Sequence, residues 1–144
     1  MKRILSALVA IALSAGLAWG ITATGTNSQY QNSNFKVGFL QMSALNAVTA
    51  FAGGGQTSAV QIADGITRVT TVASAADSVK LPLAKAGTIV LVINAAAANA
   101  VAIFPATGDV INALSANASI SVAANKTIYF VCAVDGTWNS ILTA

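Results

Sequence analysis

The chain has no histidine, no glutamate, a single cysteine and only two prolines in 144 residues. Each scarcity removes a class of chemistry. Without an imidazole there is no His-activated nucleophile, and metal sites of the nitrogen–sulfur type lack their ligands. Cys132 has no partner for an internal disulfide, so no disulfide framework holds the fold. It sits in "TIYFVCAV" with Lys126 as the nearest upstream cation, the setting of a small buried hydrophobe rather than a reactive thiol. The acids are Asp64, Asp77, Asp109 and Asp135. Three fall at expected turns and Asp77 directly precedes a strand, so no carboxylate pair is expected for acid–base work. No loop is acidic enough for calcium. "AGGGQTS" lacks the lysine of a phosphate-binding loop. The expectation is a protein that is not an enzyme, with no cofactor, no metal and no small-molecule substrate.

Charge is scarce as well. Charged residues make up 8% of the chain, against roughly 25% in ordinary soluble domains. Aromatics are 6%, and much of the hydrophobic share of 56% is alanine. The net charge of +3 and pI near 9.4 reflect missing acids, not a basic surface. The cations are scattered, Lys2 and Arg3 at the very start, with no stripe interleaved with aromatics; no nucleic-acid partner is expected. So little charge fits a surface largely buried in a permanent assembly. The alternative is a surface coated with Asn, Thr and Ser.

What is present divides the chain in three. In residues 1–21, "MKRILSALVAIALSAGLAWGI", a basic start precedes an apolar run and small residues at Ala18 and Gly20. That order fits a secretory signal peptide. The run 4–21 also approaches the about 20 residues of a membrane span. A third reading is a buried helix, with Ile4, Leu8 and Ile11 on one seam. Retention and burial is the reading adopted; membrane contact through 4–21 and cleavage are the alternatives. Residues 22–58 begin polar and Asn/Ser/Thr/Gln-rich, as in an extended arm. Phe35, Val37 and Phe39 then alternate as in a short strand, and Gly53–Gly55 reads as a flexible joint.

Residues 59–144 read as strands. "AVQIA" and "ITRVTTV" flank Asp64-Gly65, a two-residue hairpin signal. "DSVKLP" alternates up to Pro82. "GTIVLVIN" is an uninterrupted apolar strand, expected at the centre of a sheet. "AVAIFPATGDVIN" gives two strands around a turn. "ASISVAANKTIYFVCAVDGTWNSIL" gives three more, with turns at Ala124-Asn125 and Asp135-Gly136. Ile128, Phe130, Cys132 and Val134 share one face; Tyr129, Val131 and Ala133 share the other. Both faces are mostly apolar, so this strand is expected to be covered on both sides, by a second sheet or a neighbouring subunit. The sequons at Asn117 and Asn125 are read as turns. "INAAAANAV" (Ile93–Val101) resembles "INALSANAS" (Ile111–Ser119), but two copies are too few for a solenoid.

Three stretches carry a resemblance: "RVTTVASAADSVKLP" (Arg68–Pro82), "VINAAAANAVAIFPATGDVIN" (Val92–Asn112) and "YFVCAVDGTW" (Tyr129–Trp138). They resemble a β-rich domain that recurs in small virion structural proteins of tailed bacteriophages, of the head-decoration, head-fibre or tail-associated kind. Residues 1–20 depart from that pattern, which usually begins directly with a polar arm. The resemblance implies an assembled, trimeric, β-structured virion component.

The expected fold is therefore all-β: an antiparallel β-sandwich or barrel-like domain over 59–144, preceded by an apolar N-terminal helix and an extended arm. The expected function is capsid decoration, or cement, on the outside of the phage head. The partners are further copies, forming a homotrimer, and the major capsid protein. Ile4, Leu8, Ile11, Phe35, Phe39, Leu40, Met42 and Phe51 are the candidate capsid or subunit contacts. Two alternatives stand beside it. One is a fibre or adhesin in which Tyr129 and Trp138 stack on host glycan, although a Trp in a terminal strand is more often core. The other is an exported cell-surface protein cleaved after residue 20.

Overall fold

A computed structural model of the protein describes residues 41–143. Every regular element among them is a β-strand. In chain order these are β1 (Ala44–Thr49), β2 (Val60–Gln61), β3 (Ile66–Thr71), β4 (Ser78–Lys80), β5 (Ile89–Asn94), β6 (Val101–Phe104), β7 (Val110–Ile111), β8 (Ile120–Val122), β9 (Lys126–Val134) and β10 (Thr137–Leu142). The expected N-terminal helix, and the strand over Phe35, Val37 and Phe39, lie outside the described residues.

The expected antiparallel sandwich or barrel is not what forms. Strands β1 to β6 alternate strictly between two sheets, and neighbours within each sheet are parallel. The larger sheet runs β1-β3-β5-β9-β10-β7 and the smaller β2-β4-β6-β8. β1 pairs parallel with β3 and β3 with β5; β2 pairs parallel with β4 and β4 with β6. The chain therefore winds as a short β-solenoid, each coil contributing one strand to each sheet. The Asp64-Gly65 signal misleads here. It joins β2 to β3, which lie in different sheets, so it is a corner and not a hairpin. Gly65 takes no left-handed conformation; what it supplies is space, since a Cβ there would lie 2.6 Å from Cε of Met42.

After β6 the winding reverses. β8 and β9 form one coil run backwards, β8 antiparallel to β6 and β9 antiparallel to β5. β10 folds back on β9 through the Asp135-Gly136 turn and pairs with β7 at the far edge. This hairpin matches the sequence expectation, with Gly136 at φ 82°. The reversed coil and the β10 hairpin close the C-terminal end of the stack by antiparallel pairing.

The core is a set of rows running through the stack. In the smaller sheet Val60, Val79, Ile103 and Ile120 occupy one row; the middle two are fully buried and the outer two half-buried. In the larger sheet Val92 pairs with Ile128 and Val90 with Phe130, all facing inwards. Ala50, Ala84 and Ala96 fill the corners. Larger side chains share the corners, with Ile62, Val72 and Leu81 buried just beyond β2, β3 and β4. β1 already belongs to the larger sheet, so residues 44–58, expected as arm, are part of the β-domain. The glycine run is likewise an ordered corner. Gly54 has φ 72°, and a Cβ on it would meet the Ala76 carbonyl oxygen at 2.5 Å.

Candidate functional site

The polar side chains that survive in so apolar a chain hold the corners together. Asp77, 1% exposed, accepts backbone N–H groups from Gly53 (3.1 Å) in the coil before it and from Ala73 (2.9 Å) and Ser74 (3.0 Å) in its own. Asn99 donates to the Val72 and Ala73 carbonyls, tying the third coil to the second. Asn94 donates to the carbonyls of Asn99 and Val122, tying the third coil to the reversed one. At the opposite corners Asp109 accepts from Ala84 N–H at 2.7 Å, and Asp135 accepts from Ala86 N–H and pairs with Lys85 at 2.8 Å. That ion pair is exposed at both ends, so salt screens it and it contributes little.

Asp77 is the acid most committed to the fold. The Ser74 amide, then those of Gly53 and Ala73, outweigh the opposing effect of burial and hold its carboxyl below the usual carboxylate range. A folded pKa below the unfolded value of about 3.9 stabilises the protein fully above that value. The contribution is lost as the pH falls through the folded pKa. The thermal midpoint should therefore be flat from pH 7 to 5 and drop below about pH 4. Asp77→Asn should lower the midpoint at neutral pH and flatten the acid drop, because an amide N–H₂ replaces one acceptor facing these N–H groups. Calorimetry of both proteins over pH 2–7 checks this; parallel curves would remove Asp77 from the account.

Three of the four aspartates are thus consumed by structure. Among the described residues no group of three His, Cys, Asp or Glu converges on a point that could hold a metal. Cys132 is buried. Asn117 and Asn125 both lie in turns with positive φ, as read from the sequence.

The proposed contact residues are not gathered into one site. Ile4, Leu8, Ile11, Phe35, Phe39 and Leu40 lie outside the described residues. Met42 and Phe51 fall at the two ends of β1: Met42 covers Gly65, while Phe51 pairs its backbone with Ser78 beside β2. The aromatic pair proposed for glycan stacking is split. Tyr129 is 45% exposed, but Trp138 is fully buried and packs edge-on against Phe130 with ring centroids 6.3 Å apart. Trp138 presents no ring face to a sugar, and that assignment is withdrawn. The two residues alternate to opposite faces of neighbouring strands, so the strand period forbids a joint platform.

No family model, curated protein or solved structure matches this chain. The geometry itself must indicate where the molecule acts.

It points to the outer face of the larger sheet. Ile66, Leu91, Tyr129 and Ile141 lie side by side in one row across β3, β5, β9 and β10. Ile89 and Val131 pair in the next row. Ile89, Tyr129, Val131 and Ile141 are each at least 37% exposed, Ile141 as much as 69%. Arg68, bonded to Asn46, is the one charged side chain among the outward-facing residues of these strands. The expectation that β9 is covered on both sides is met on its inner face only. The outer face of the smaller sheet differs: Ser78 points outwards there yet is fully buried, its hydroxyl donating to the Gly55 carbonyl. The sequence signal for the bare face was the apolar character of both sides of "TIYFVCAV". Its extension over β3, β5 and β10 depends on pairings that no local pattern displays.

Proposed function

We propose that this chain is a non-enzymatic virion structural protein, a capsid decoration or cement protein that assembles as a homo-oligomer on a phage head. The observation that carries the reading is the exposed, nearly uncharged outer face of a solenoid, three of whose four aspartates are spent on its corners. Such a molecule has a surface for assembly and little left for catalysis. The likeness of Arg68–Pro82, Val92–Asn112 and Tyr129–Trp138 to phage head-decoration domains supports the same reading, with a homotrimer as the expected assembly and the capsid surface as the location. In this reading the chain segment ahead of β1 reaches the major capsid protein. Large apolar anchors there, such as Phe35 and Phe39, each contribute about 1.5–3 kcal/mol before ordering costs.

Particles of the phage that encodes the chain should carry it in fixed ratio to the major capsid protein after washing and density banding. Intact mass of the chain from those particles also reports whether residues 1–20 are retained. A truncation lacking residues 1–40 keeps β1 and should no longer bind bare heads, whereas the full chain should bind. Absence from banded particles would overturn the proposal.

A further inference from the structure

We infer that the outer face of the larger sheet is the surface through which copies of this chain associate with one another. This rests on the homo-oligomer in the reading above and assigns its interface as a twofold pairing of this face, which closes as a dimer rather than the expected trimer.

The edges are poor candidates. β2 and β7 are two residues long and β8 three. Among the described residues the longest edge strand, β1, is broken by register shifts on both sides of Val48 and by Ala47 at φ 61°. Short and bulged edges resist strand addition. The outer face of the larger sheet carries none of these guards. Its strands are regular through β3, β5 and β9; one row is apolar from β3 to β10, and beside it Ile89 and Val131 extend the apolar surface over β5 and β9 up to Asn139 on β10.

The composition of the face indicates the occupant. A partner of different sequence would find one cation, Arg68, to recognise, and no acid. A second copy offers what the face does have: an equally flat, equally apolar surface, as in homo-oligomer interfaces. Charge is compatible with that match. If a twofold axis runs along the strands between β5 and β9, then β5 lies over the partner's β9 and β3 over the partner's β10. The two Arg68 side chains are then about three strand spacings apart, roughly 14 Å, beyond the screening length of about 8 Å at physiological salt. Each Arg68 meets the uncharged strand that carries Asn139 and Ile141. Packing of sheet on sheet at about 10 Å accommodates such side chains.

The size of the face sets the strength. Four strands about 4.8 Å apart, read over six residues, give a footprint of roughly 400 Å². That is about half of the 800 Å² per partner in a standard interface. Free copies should therefore associate weakly and with concentration, and firmly once held on a common scaffold, where the effective concentration is high.

Sedimentation velocity of the full-length chain, over a concentration series through the micromolar range, tests this. The wild type should shift from monomer to dimer. Tyr129→Lys with Ile141→Lys should raise the dissociation constant at least tenfold, about 1.4 kcal/mol, with an unchanged circular dichroism spectrum. Should the double variant misfold, Ile141→Lys alone, at the most exposed site of the face, reads the same effect. Leu83→Lys, exposed but off this face, should leave association unchanged. A wild type that stays monomeric, face variants that associate like the wild type, or equal loss in Leu83→Lys would each overturn the assignment. The outcome is separable from the virion reading: a chain absent from particles whose face variants still turn monomeric sinks that reading and leaves this one standing.

Discussion

Trp138→Ala should destabilise the domain by about 3–5 kcal/mol, the usual range for removing a large aromatic from a core. Domains of this size hold only about 5–15 kcal/mol in total, so urea denaturation of the variant should begin in nearly native buffer. The reason lies in where Trp138 sits. It is fully buried on β10, between Cys132 on β9 and Ile111 on β7, and it stacks edge-on against Phe130. Among the described residues no strand lies beyond β7, and Trp138, with Ile111 beside it, links this end of the sheet to the interior. Its indole N–H has no hydrogen-bond partner, which costs part of what the ring contributes. Trp138→Phe removes that unpaired donor and keeps an aromatic ring beside Phe130. It should therefore lose only about 1–2 kcal/mol. Equal losses in the two variants would mean that the ring does not anchor β10.

The second large effect belongs to a polar residue. Asn94→Ala should cost about 3–4 kcal/mol, because two buried backbone groups and one part-buried one lose a partner at roughly 1–3 kcal/mol each before relaxation. Asn94 is fully buried at the end of β5. It donates to the Asn99 carbonyl at 2.9 Å and the Val122 carbonyl at 2.9 Å, and accepts from Ala96 N–H at 3.1 Å. The Val122 bond is the one that reaches the reversed coil. Hydrogen exchange should therefore speed up in β8 and the turn at Asn125 more than in β3. Asn94→Asp should be worse than alanine: a carboxylate would face two carbonyl oxygens in a dry interior. A tolerated Asn94→Asp would show that this corner opens to water.

Much of the local structure was legible. β3, β5 and β9 announce themselves through β-branched and aromatic residues, and the uninterrupted run "IVLVIN" does take an interior place in the larger sheet. The turns at Asn125 and Gly136 follow from residues that accept positive φ. Asp64-Gly65 shows the limit. The same dipeptide serves a hairpin, which returns the chain within one sheet, or a corner, which passes it to another. Which of the two forms depends on whether β3 finds β2 or β1 as its neighbour, and that choice is made by packing. The coils also differ in length: Ala44, Ile66 and Leu91 stack in one sheet, Val60, Val79 and Ile103 in the other. A repeat of uneven period leaves no self-similar pattern to find. The one weak repeat visible in the sequence, at Ile93 and Ile111, joins a coil strand to the short edge strand β7 and does not mark successive coils.

By itself the sequence determined that the chain is β-rich, poor in charge and without a histidine for imidazole chemistry, because those properties are additive over residues. It also determined that Asn and Asp would sit at its bends. Only the tertiary structure decided that the strands wind in parallel coils, that Trp138 turns inwards while Tyr129 turns out, and that six apolar side chains from four strands lie together on one open face. Those outcomes depend on contacts between residues far apart in the chain. Hydrophobic alternation specifies that a strand has two faces, but only its neighbours fix which face is covered and which is left for another molecule.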